Sequence, residues 1–144
     1  MISLDLGTFG AIIKFAMEIE SKVNGVYKEV SEVAKNDALV KLHGDLVTRG
    51  QKRINTLERV RRENVTEMIL EPIEGFDSDS FGIDTDASLA LDDATIRTMV
   101  ISIESTLQKF YITAARKIDF LPEAAYAFEL LAEKNEETIK RLEA

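Results

Sequence analysis

Residues 71–93 read EPIEGFDSDSFGIDTDASLALDD. The stretch holds eight acids (Glu71, Glu74, Asp77, Asp79, Asp84, Asp86, Asp92 and Asp93) and no Lys or Arg. Removing those eight from the 26 acids of the 144-residue chain leaves 18, equal to its 18 Lys and Arg, so the whole net charge of −8 arises here. Pro72, Gly75 and Gly82 interrupt it, and it separates two long periodic regions. It reads as a connection over about 71–92. Extended chain covers about 3.3 Å per residue and a thirty-residue helix spans about 45 Å, so such a connection can cross a helical bundle from end to end.

On its N-terminal side, apolar residues at spacings of three and four mark two helices. The first runs from about Leu4 to Asn36, through Phe9, Ile12, Ile13, Ala16, Ile19, Val23, Val26, Val30 and Val33. The second runs from about Ala38 to Leu70, through Leu39, Leu42, Leu46, Ile54, Leu57, Val60 and Met68. Asn36-Asp37 breaks the two, Asp37 is a cap for the second, and Pro72 stands just past its end. On the C-terminal side a third helix runs from about Asp92 to Ile118, through Ile96, Met99, Val100, Ile103, Leu107, Phe110 and Ala114. The fourth starts at Pro122, a favourable first helical position, and runs to the end through Ala125, Phe128, Leu131, Ile139 and Leu142. The short breaks at Asn36-Asp37 and Asp119-Phe120-Leu121 make each pair an antiparallel hairpin. The expected fold is all-α, one four-helix domain over 1–144.

Composition narrows the function. No Cys excludes disulfides, thiolate metal sites, Cys nucleophiles and iron–sulfur ligation, and a single His excludes a His-rich metal site. The acidic balance argues against a nucleic-acid partner. No apolar run approaches a membrane span, and Met1–Asp5 lacks the basic flank of a secretory signal, so a soluble cytoplasmic protein with no membrane partner is expected.

The two hairpins repeat each other. Ile19-Glu20-Ser21 with Tyr27 matches Ile103-Glu104-Ser105 with Tyr111 at an offset of 84. Residues from Leu46 through Gly50, Arg53 and Ile54 to Glu58 match those from Leu131 through Asn135, Thr138 and Ile139 to Glu143 at an offset of 85. A pseudo-two-fold axis down the bundle is expected. Glu20 lies one turn from Ala16 and Val23, and Glu104 one turn from Val100 and Leu107, so both carboxylates point into the apolar seam.

This repeat resembles the rubrerythrin branch of the ferritin-like superfamily over nearly the whole chain. Glu20-Val23-Val26-Tyr27 and Glu104-Leu107-Phe110-Tyr111 fit the family's Glu and tyrosine pattern on the first and third helices. The resemblance implies a ferritin-like four-helix bundle, two antiparallel helical hairpins joined by one long acidic crossover. It also implies Glu-x-x-His on the second and fourth helices, holding a pair of metals. There the sequence departs from the pattern: Gly50 and Asn135 stand at the Glu positions, Arg53 and Thr138 at the His positions. No rubredoxin-like Cys module lies in the sequence.

Two carboxylates left across an apolar seam repel and lose hydration, so they must be paired or take up protons. Arg53 supplies a fixed charge and, by the family's arrangement, belongs near Glu20. Gly50 leaves room for a guanidinium or a tyrosine ring. Glu20, Arg53 and Glu104, with Tyr27 and Tyr111, are therefore expected to form a polar core network in place of a metal site. No catalytic residue and no cofactor is assigned. The resulting expectation is a degenerate ferritin-like protein lacking a di-iron centre, a structural or interaction module that forms a homodimer. Val33, Val47, Val65, Tyr126 and Leu130, outside the seams, are its candidate self-association surface. The competing reading is a rubrerythrin-like oxidoreductase reducing peroxide or oxygen at a rearranged site. Glu20 and Glu104 would there hold one metal with waters and Asn135 or Glu136.

Three further features carry less. His43 reads as a helix-surface residue. Residues 77–86 superficially resemble a calcium loop, but Phe81 and Ser88 stand where oxygen ligands are needed, so an acidic crossover pinned by Phe76, Phe81 and Ile83 is expected. Arg49, Lys52, Arg53, Arg59, Arg61 and Arg62 are interleaved with Glu58 and Glu63, and acids on neighbouring helices or the crossover are their expected partners.

Overall fold

The computed structural model describes residues 5–33, 37–67, 73–83 and 93–143. Four helices make up most of it: α1 (Phe9–Val33), α2 (Asp37–Glu63), α3 (Asp93–Lys117) and α4 (Pro122–Glu143). No strand forms among the described residues, and the one bridge pairs Asp5 with Asp77. No described helix is long and apolar enough to cross a membrane.

The helices end where local chemistry stops them. The α1 helix begins at Phe9, later than the apolar period suggests. Thr8 Oγ1 accepts from Ala11 N at 3.1 Å and caps the first turn. The preceding residues instead pair with the crossover, Leu6 N to Phe76 O at 3.0 Å and Ile73 N to Gly7 O at 2.8 Å. The α2 helix stops at Glu63, where the Asn64 amide donates to Val60 O at 2.8 Å, and a short 3-10 turn, Val65–Glu67, follows. Asn36, Met68, Pro72 and residues 84–92, with the expectations attached to them, lie outside the described residues, as do the side chains of Val33, Asp37 and Leu39.

Side-chain neighbours give the topology. Tyr27 faces His43, Asn24 faces Gly50 and Glu20 meets Arg53, so α1 and α2 are antiparallel. Tyr111 meets Phe128 and Glu104 meets Asn135, so α3 and α4 are antiparallel. Tyr27 reaches Glu104 and Tyr111 reaches Glu20, so α1 and α3 are antiparallel as well. It follows that α2 and α3 run in the same direction, and their connection must return the length of the bundle. The described part of that connection follows α3. Lys117 Nζ donates to Glu74 O at 2.8 Å, Phe81 packs edge-on against Phe110, and Gly82 and Ile83 line a groove with Met99, Ser102, Ile103 and Thr106. Gly75 turns the chain beside Lys117 at φ +68°, a conformation that favours glycine.

The core is continuous. Phe9, Ile12, Val23, Leu46, Leu57, Val100, Leu107, Phe110, Ile118 and Phe128 are buried, and Phe76, stacked on Phe110, and Phe81, edge-on to it, join them. The described part of the crossover is thus fastened by aromatic burial, while its acids Glu74, Asp77 and Asp79 are exposed. Among the apolar residues outside the seams, Val65, Tyr126 and Leu130 are exposed, and Val47 packs partly against the core.

Candidate functional site

Midway along the bundle every helix places a polar residue on its buried face. The α1 helix carries Glu20, Asn24 and Tyr27 at spacings of four and three. The α2 helix carries His43, Gly50 and Arg53 among Leu46, Leu57 and Val60. Glu104 and Tyr111 come from α3, Asn135 and Thr138 from α4. All of these side chains are buried.

Arg53 is the hub. Its Nε donates to Glu20 Oε2 at 2.8 Å, and its Nη2 lies 3.5 Å from Glu104 Oε2. That second contact is close enough for charge attraction but is not aimed as a hydrogen bond. The tyrosines cross the bundle: Tyr27 OH donates to Glu104 Oε2 at 2.5 Å, and Tyr111 OH donates to Glu20 Oε1 at 3.1 Å. Asn135 Nδ2 donates to Glu104 Oε1 at 3.0 Å. Glu20 thus takes two hydrogen bonds, and Glu104 takes two plus a longer ionic contact. Thr138, the residue matching Arg53 in the repeat, faces neither carboxylate. It donates to Lys134 O and accepts from Arg49 Nη1.

The electrostatics follow from two carboxylates sharing one guanidinium. Burial raises Glu20 above its usual 4.5, against the pull of Arg53, which lowers it. Burial works against the charged form of Arg53, but Glu20 and Glu104 outweigh it, so the guanidinium stays protonated. Burial, reinforced by the neighbouring carboxylates, lifts both Tyr27 and Tyr111 well above 10, so each phenol remains a donor.

The chain matches no family model, no curated protein and no solved structure. What the site does must therefore be read from its own residues.

A pair of metal ions does not fit them. The nearest polar neighbours of both carboxylates are N–H or O–H groups already donating to them, and a guanidinium stands between the two where a cation would go. Among the described residues no group of three or more ligating His, Asp or Glu side chains gathers. Residues 77–81 use their acids locally instead: Asp77 Oδ1 accepts from Asp79 N at 3.0 Å.

Three expectations are corrected. His43 is not on the surface; it is buried edge-on to Tyr27, with ring centroids 6.5 Å apart. The space at Gly50 holds neither a guanidinium nor a phenol. Asn24 fills it, and a Cβ on Gly50 would lie 2.5 Å from Asn24 Oδ1. Among the described residues Arg59 and Arg61 pair not with the crossover or another helix but with Glu63 and Glu58 one turn away on α2. Pairing within one helix orders less chain, which is why it wins at an exposed face.

Asn24 and His43 were missed by sequence reasoning. Both carried a signal. Residues 43, 46, 50, 53, 57 and 60 alternate spacings of three and four, and Asn24 lies one turn past Glu20 on the same face.

Proposed function

We propose that this chain is a degenerate ferritin-like bundle in which an arginine–carboxylate network takes the place of a di-iron centre, and that it serves as a structural or interaction module. The observation that carries the reading is the Arg53 guanidinium, 2.8 Å from Glu20 and 3.5 Å from Glu104. A catalytic metal needs ligands free to bind it and an open position for substrate. Here the carboxylate oxygens are taken by donors, both carboxylates are fully buried, and a fixed positive charge repels any metal. The same arrangement serves a structural role well. Tyr27 and Tyr111 tie the hairpins to each other and Arg53 ties α1, α2 and α3, so the network specifies one packing of four helices.

The test is metal analysis of protein purified without chelator and then incubated with ferrous iron. The reading expects far less than one metal per chain and no peroxide-dependent turnover. About two irons per chain, lost on substituting Glu20 or Glu104, would overturn it.

A further inference from the structure

A groove of about 260 Å³ lies between α2 and α4, lined by Arg49, Lys52, Arg53, Thr56, Leu131 and Lys134. Four cations and no carboxylate line it, in a chain whose net charge is −8. Gathered like charges repel, and a site that concentrates them against the sign of the whole protein is arranged for an anion.

Apart from Arg53, which Glu20 and Glu104 neutralise, the chain offsets little of this charge. Lys134 is 3.5 Å from Glu137, with both side chains exposed, which is a weak pairing. Arg49 points Nη1 at the neutral Thr138 hydroxyl at 3.4 Å. Lys52 takes part in no ion pair among the described residues. Arg53 also lines the groove, but it is only 3% exposed; its Nε donates to Glu20 and its Nη2 lies 3.5 Å from Glu104 Oε2, so its charge is spent on the two carboxylates.

We infer that the groove between α2 and α4 binds a phosphate-class oxyanion, either free or as the terminal group of a small phosphorylated molecule. Arg49, Lys52 and Lys134 supply the charge that meets the anion. The volume is below the roughly 300 Å³ at which pockets enclose a whole small molecule, so it fits an anionic headgroup. A nucleic-acid backbone would instead need cations spread along an open face. The inference goes beyond the metal-free reading and is tested separately from it.

The experiment is calorimetric titration of the intact protein with inorganic phosphate and with a sugar monophosphate. Sodium chloride at matched ionic strength is the control. Saturable binding of phosphate or of the ester, absent with chloride, supports the inference, and the tighter of the two identifies the source of the anion. The double variant Lys52→Ala/Lys134→Ala alters two exposed side chains outside the buried network, so it should melt as wild type does without phosphate. Its affinity should fall at least about tenfold, which corresponds to about 1.4 kcal/mol. No saturable binding, an equal response to chloride, or unchanged affinity in the double variant would overturn the inference. So would a short oligonucleotide that binds far more tightly than phosphate.

Discussion

The Tyr27 hydroxyl on α1 donates to Glu104 on α3 at 2.5 Å, and Tyr111 on α3 returns the contact to Glu20 on α1 at 3.1 Å. Each buried carboxylate is thus held by a phenol from the opposite hairpin. The two contacts are not equivalent. Glu20 also has a direct hydrogen bond from Arg53, whereas Glu104 has only Asn135 and the longer approach of Arg53. Tyr27→Phe should therefore cost about 2–3 kcal/mol of unfolding free energy and Tyr111→Phe about 1 kcal/mol. Urea unfolding of the two variants measures this. Negligible cost for both would mean that the crossed contacts do not hold the hairpins together, and an equal or reversed order would mean that Arg53 does not support Glu20 more than Glu104.

Alkaline pH should destabilise the fold through the same phenols. Burial lifts Tyr27 and Tyr111 well above the usual 10.0, so their contribution to stability is fully present below pH 10 and is lost as pH rises through their folded values. Absorbance near 295 nm and far-ultraviolet circular dichroism, followed together from pH 9 to 12, should show two phenolates appearing with the loss of helix. Ionisation of all three tyrosines with the helices intact would contradict the burial of Tyr27 and Tyr111.

At Gly50 two effects oppose each other. Alanine is better than glycine inside a helix by about 1 kcal/mol. Its methyl, however, would lie 2.5 Å from Asn24 Oδ1, in a buried region with little slack. Gly50→Ala alone should thus fail to stabilise the protein. Asn24 Oδ1 is buried without a hydrogen-bond partner, so trimming it forfeits no bond at that atom. The double variant Asn24→Ala/Gly50→Ala should recover about 1 kcal/mol relative to Gly50→Ala. A double-mutant cycle in thermal unfolding reads this. Additive effects would show that the two positions do not touch.

Much of the architecture was legible because it rests on periodicity. Apolar residues three and four apart placed all four helices, and the acidic, glycine-containing segment between two short-turned pairs placed the crossover. The inward direction of Glu20 and Glu104 followed from their apolar neighbours one turn away. Helix ends were less legible, because Thr8 and Asn64 act through single side-chain hydrogen bonds that leave no mark on the period. Within the site, Arg53 beside Glu20 was expected from the resemblance, whose arrangement sets that position next to the Glu of the first helix, and the need of a carboxylate in an apolar seam for a partner agreed with it. His43 was set aside because it was judged as a chemical group before its register was read. Asn24 was missed because the space left by Gly50 was assigned to larger side chains, and a glycine does not say which neighbour fills it.

The central claim is that Arg53 holds Glu20 and Glu104 in place, and its most direct test is the stability of Arg53→Ala against wild type at neutral and mildly acidic pH. Burial raises Glu20 above 4.5 while Arg53 draws it down, so removing Arg53 raises it further. A carboxyl raised in the folded state contributes stability that is full below its unfolded value and is lost as pH rises through its folded one. The cost of Arg53→Ala should therefore be largest at neutral pH, about 3–5 kcal/mol, since it leaves buried carboxylates without their cation. It should shrink as pH falls toward 4.5, where a protonated Glu20 stays buried without a charge partner. Chemical unfolding at pH 7 and pH 5 measures both. A variant as stable as wild type at pH 7, or one whose deficit is the same at both values, would contradict the claim.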